Sequence, residues 1–122
     1  MSDDWRADVL KFWFGLSYED WWKATPELDH RIKERFLRLW AEKRQLPVEA
    51  FVTDPLTALA AVILFDQFPR NIFRGSAEQF ATDHLALGIA KRAIDMRVAE
   101  YGAAHSDALI ETITFVHSLS GQ

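Results

Sequence analysis

Cysteine is absent from the 122 residues, which removes disulfides, thiolate chemistry and the usual cysteine-based structural zinc sites. No apolar run approaches the roughly 20 residues needed to cross a bilayer, so no membrane is expected as a partner. The start of the chain, MSDDWRADVLKFWFG, is acidic and carries neither a basic n-region nor a small-residue cleavage site. The default expectation is therefore a cytoplasmic protein. Positive charge is also in short supply. The formal net charge of −4 argues against a nucleic-acid partner, which needs a basic face to neutralise phosphates. The local cluster Lys33, Arg35 and Arg38 is balanced by nearby glutamate and reads as a solvated helix face. There is no glycine-rich phosphate loop and no nucleophile elbow around Ser106 or Ser118.

Core material is abundant. Hydrophobic residues make up 49% of the chain, with five Trp and nine Phe, which excludes intrinsic disorder as a class. The length allows one domain, 1–122, burying roughly two-thirds of the unfolded surface.

Ser2 or Asp3 is expected to cap a first helix carrying Trp5, Val9, Leu10, Phe12, Trp13 and Phe14 and ending at Gly15. Three consecutive aromatics cannot share one face at 3.6 residues per turn. This helix is therefore covered on two sides or presents an apolar patch to a partner. Ser17 to Trp22 reads as a short capped turn. Thr25-Pro26 opens a second long helix with Leu28, Ile32, Phe36, Leu39 and Trp40 on one stripe, fading near Gln45. One further turn is expected at residues 48–52. Asp54-Pro55 repeats the cap, and the run from Leu56 to Phe65 is apolar all round, the mark of a central helix. Ser76-Ala77-Glu78-Gln79 has a capping-box pattern opening a helix that reaches Ala99, with Phe80, His84 and Leu87 towards one side. Gly102 closes it. A last helix from Ser106 bears Leu109, Ile110, Ile113, Phe115 and Val116. No strand alternation is visible, so the fold class is all-α: about five principal antiparallel helices with short connections.

The polar residues that look selected concentrate in Leu64–Leu87. Asp66 and Gln67 follow the apolar run, a break is expected at Pro69, and Arg70, Asn71 and Arg74 form a short knot before Ser76. A carboxylate at Asp66, placed near a helix C-terminus among apolar neighbours, requires donors, and Arg70 or Arg74 can supply a bidentate fork. Asn71 can bond backbone groups freed by the break. Two readings follow. In one, Asp66 and an arginine latch a kink between core helices. In the other, Arg70 and Arg74 receive a small anionic ligand while Asp66 or His84 handles a proton. His84 reads first as a core histidine and second as a base or ligand. The candidate binding residues are thus Asp66, Gln67, Arg70, Asn71, Arg74 and His84. Asp66, Asp83, His84, His105 and His117 have none of the helical spacings of metal ligands, so neither metal nor cofactor is expected.

The segments VLKFWFG, Trp21-Trp22, LDHRIKERF, LFDQFPRNIFRG and FATDHLAL, in this order, resemble the bacterial proteins grouped as domain of unknown function 924. The resemblance covers most of residues 9 to 90. It implies stacked helix pairs like those of the tetratricopeptide-repeat superfamily, and it implies no activity. Such proteins typically continue through an acidic MHSE-like motif, where this chain has Phe115-Val116-His117-Ser118-Leu119, and then through another proline-arginine-asparagine motif. The chain stops at Gln122, so only the first half of any pocket built from both motifs is expected. A core lacking that cover favours a homodimer through the first or last helix. The first functional expectation is a binding or interaction module with a protein partner. The second is an enzyme or binder of small anions at the Asp66–Arg74 cluster.

Overall fold

A computed structural model describes residues 4–16 and 25–96. The expected turn at Ser17–Trp22, the end of the helix beyond Met96, and the last helix with His105 and His117 lie outside the described residues. Within them the chain is helical and has no strand.

Helix α1 spans Trp5–Phe14. Its cap is Asp4 rather than Ser2 or Asp3. The Asp4 carboxylate accepts from the amide of Arg6 at 3.1 Å and also from the Arg6 Nε at 2.9 Å. Being anionic, it suits the positive helix end better than a hydroxyl. Gly15 follows as predicted, but for a different reason. Its φ of −82° is ordinary, whereas a Cβ would meet the Lys11 carbonyl oxygen at 2.8 Å. Of the aromatic triplet, Phe12 and Trp13 are buried and Phe14 is 48% exposed.

Helix α2 spans Pro26–Lys43, with the Thr25 hydroxyl accepting from the Leu28 amide at 3.2 Å. Leu28, Ile32, Phe36 and Trp40 are its buried residues, four apart as the periodicity requires. A single 3₁₀ turn, Val48–Phe51, then drives Phe51 into the core.

The central element is one helical rod in three parts. Helix α3 spans Pro55–Val62, a π-turn spans Ile63–Gln67, and helix α4 spans Phe68–Ile72. Every residue from Thr57 to Pro69 is buried. The expected break at Pro69 does not occur. In an ordinary helix the proline ring collides with the carbonyl four residues earlier, here that of Phe65, and leaves it without an amide donor. The π-turn widens the rod just before the proline, with the Phe68 amide donating to Ile63 five residues back. The Phe65 carbonyl is then capped from outside, by the Thr82 hydroxyl at 2.6 Å.

Beyond Ile72 the chain turns through Gly75, whose φ of +85° favours glycine, while the Ser76 amide donates to the Phe73 carbonyl at 2.9 Å. Ser76 does cap, bonding the Glu78 amide at 3.2 Å, but it caps only a short 3₁₀ turn, Ala77–Phe80. Helix α5 starts afresh and spans Asp83–Met96. Its buried residues are Ala86, Ile89, Ala90 and Ala93, and it packs against α3 and the π-turn. Thr82 is drawn inward to reach Phe65, which separates the two helical pieces. Phe80, expected on a buried side, is consequently 53% exposed. At the centre Phe68 stacks on Phe36 with centroids 4.6 Å apart, and Phe12 meets both edge-on, at 5.4 Å from Phe36 and 6.0 Å from Phe68. This aromatic cluster joins α1, α2 and α4.

Candidate functional site

The rod places Asp66 and Gln67 in the π-turn and Arg70 and Asn71 in α4, with Arg74 just beyond its end. Because the rod continues through Pro69, Asp66 is not at a helix C-terminus as expected but inside the rod, 3% exposed. Gln67 Nε2 donates to Asp66 Oδ2 at 2.8 Å.

Arg70, one turn after Asp66, leans towards both Asp66 and α5. Its Nη2 lies 3.8 Å from Asp66 Oδ1, and 3.3 Å from each carboxylate oxygen of Asp83. The guanidinium also stacks over Phe80, 5.1 Å from the ring centroid. Its Nε is buried and has no hydrogen-bond partner among the described residues.

The second half of the cluster gathers on a residue that carried no motif, Asp29 in the first turn of α2. Arg74 grips it with a bidentate fork, Nε to Oδ2 at 2.7 Å and Nη2 to Oδ1 at 3.0 Å. Hydrogen bonding to Asp29 holds the Arg74 pKa above the ordinary arginine value, although burial works against it. Asn71 Nδ2 donates to Asp29 Oδ1 at 2.9 Å. The expected bonds from Asn71 to freed backbone groups are not made. Thr82 fills that role, and its oxygen in turn accepts from Trp40 Nε1 at 3.1 Å.

The six predicted residues therefore divide. Asp66, Gln67 and Arg70 form one centre with Asp83, and Asn71 and Arg74 form another with Asp29. His84 is exposed on the first turn of α5, not a core histidine. Around Arg70, two carboxylates face one guanidinium; at Arg74, one faces one. Among the described residues, neither centre carries surplus positive charge for an anion. Among the described residues no group of three or more His, Asp or Glu is arranged to hold a metal ion. A cavity of about 480 Å³ does exist, but none of the six lines it. It is bounded by Asp4, Trp5, Arg6, Lys43, Leu46, Ala50, Phe51, Thr53 and Thr57.

Comparison with curated proteins gives no match. Among solved structures, the chain is similar to a protein of unknown function from Agrobacterium tumefaciens, at 30% identity and a TM-score of 0.72. The likeness covers 91% of this chain and 61% of that one, so the chain spans about three-fifths of its structural relative. The model of the family described as a bacterial protein of unknown function, domain of unknown function 924, matches residues 9–120. On that match, which takes in α1 from Val9 onward and every later described helix, the chain belongs to this family.

Proposed function

We propose that the protein is a cytoplasmic helical interaction module, in which the Asp66–Arg74 cluster is a latch that keeps the helices in register. The observation that carries this reading is the pairing of both arginines with carboxylates on other elements, Arg70 with Asp83 and Arg74 with Asp29. A tetratricopeptide-like stacking of helix pairs belongs to the same proposal. Such stacking would offer a protein partner a surface whose shape the latch maintains. The second reading, a small anion held at the cluster, has one observation in its favour, the unpartnered Arg70 Nε. Titration with inorganic phosphate, followed through the arginine Nε–H resonances, distinguishes the two. The module predicts no saturable shift at Arg70 or Arg74 up to millimolar phosphate. A saturable shift at both would replace it with the anion-binding reading.

Self-association through the end of α1 is a further part of the proposal, supported by the exposure of Phe14 beside buried Phe12 and Trp13. Sedimentation equilibrium at micromolar concentration should show a dimer that Phe14→Ser weakens. A clean monomer at that concentration contradicts this part.

A further inference from the structure

The cavity at the start of α1 lies apart from every residue of the cluster, and its walls have a chemistry of their own. One wall is polar. Arg6 Nη1 donates to the Thr57 hydroxyl at 2.9 Å and lies 3.4 Å from Asp54 Oδ2, while its Nε is held by Asp4. Thr57 donates onward to Asp54 at 2.7 Å. The single Arg6 charge thus faces two carboxylates, and this wall fixes the cap of α1 to the cap of α3. The other wall is apolar and partly open to water. Trp5 stands edge-on to Phe51 with centroids 6.2 Å apart, and Ala50 and Leu46 continue the surface, Leu46 being 41% exposed. Between the walls is Lys43, in the last turn of α2. Its ammonium sits 5.6 Å from the centre of the Trp5 ring and pairs with no carboxylate among the described residues.

We infer that this cavity is a binding site for a small monocarboxylate with an apolar body. The carboxylate meets the Lys43 ammonium, and the body covers Trp5, Ala50 and Leu46. The two carboxylates already offset Arg6 and more, so the Lys43 ammonium is the one cation of the lining open to an anion, which fits a single carboxylate better than a dianion such as phosphate. The apolar wall selects a ligand with an aryl or branched alkyl body over acetate, because burying that surface supplies the affinity. A volume of about 480 Å³ accommodates a ligand of this size. The cation–π contact holds the ammonium over the Trp5 ring, and a carboxylate meeting it displaces no ion pair among the described residues. This site is independent of the interaction-module reading, and either can fail without the other.

The test uses the whole chain with phenylacetate as the probe, by isothermal titration calorimetry and by saturation-transfer NMR. Phenylacetate should bind saturably, whereas acetate (the head without the body) and phenethylamine (the body with the opposite charge) should not. Lys43→Gln should weaken phenylacetate about tenfold, and Lys43→Arg should restore most of the loss. Ala50→Trp, which fills the cavity from the 3₁₀ turn without touching Lys43, should abolish binding while leaving the helical circular dichroism unchanged. No saturable binding of phenylacetate, equal binding of phenethylamine, or unchanged affinity in both Lys43→Gln and Ala50→Trp would overturn the assignment.

Discussion

Thr82 stands between Trp40 and the carbonyl of Phe65, and removing its hydroxyl while keeping its shape isolates what the two bonds contribute. Thr82→Val leaves a buried indole N–H and a buried carbonyl without their partner. Unsatisfied buried groups cost about 1–3 kcal/mol each, so urea unfolding should show a loss of roughly 2–4 kcal/mol. The same substitution should cost less in a Pro69→Ala background, where residue 69 regains an amide able to reach the Phe65 carbonyl. Equal losses in both backgrounds would mean that the hydroxyl does not stand in for the missing amide. At this scale the site was half legible in the sequence. Asp66, Arg70, Asn71 and Arg74 stood out because a carboxylate, two guanidiniums and a carboxamide crowd around a proline in an apolar run. Their partners did not. Asp29 precedes Arg74 by 45 residues, and an acid in the first turn of a helix is fully accounted for by the macrodipole. Thr82 fell inside the helix expected from Ser76 to Ala99 and carried no signal of its own, because the carbonyl it caps is 17 residues away.

At the scale of elements, local signals carried furthest. Thr25-Pro26 and Asp54-Pro55 start α2 and α3 as predicted, since an N-cap side chain bonds an amide two or three residues on and needs no tertiary context. The π-turn was invisible because it is a response to packing and to Pro69, not a propensity of Ile63–Gln67. Ser76 was misjudged for a related reason. Its cap pattern is real, yet the pull of Phe65 on Thr82 ends the helix before it becomes an α-helix. The junction of α1 with α3 yields a pH prediction. At Asp54 burial opposes ionisation, but bonds from Thr57 and Thr53 and the Arg6 charge outweigh it and hold the carboxyl below its ordinary 3.8. Bonding to Arg6 likewise lowers Asp4. A carboxyl whose folded pKa is depressed stabilises the fold fully above its unfolded value, and that contribution is lost as pH falls through the folded value. The stability difference between the native chain and Arg6→Gln should therefore be constant at neutral pH and shrink as acid protonates the two carboxyls below their ordinary 3.8, leaving what the Arg6–Thr57 bond contributes. A difference that persists unchanged at low pH would show that Arg6 acts by packing alone.

The whole molecule is an all-helical member of a bacterial family of unknown function, and among the described residues no helix is long and apolar enough to cross a membrane. The fold class was legible because helical periodicity and caps repeat along the chain, and a rod apolar on all sides had to lie in the middle. What periodicity could not reveal is how the rod is clamped, since that depends on which charges meet across elements. The polar cluster joins helices, with Arg74 tied to α2 through Asp29 and not to Asp66. The most direct test is a pair of double-mutant cycles in urea unfolding, Asp29→Ala with Arg74→Ala and Asp66→Ala with Arg74→Ala. Arg74 is 46% exposed, which limits the strength of the pair. The account predicts a coupling of about 1 kcal/mol between Asp29 and Arg74 and none between Asp66 and Arg74; additive losses in the first cycle, or coupling in the second alone, would contradict it.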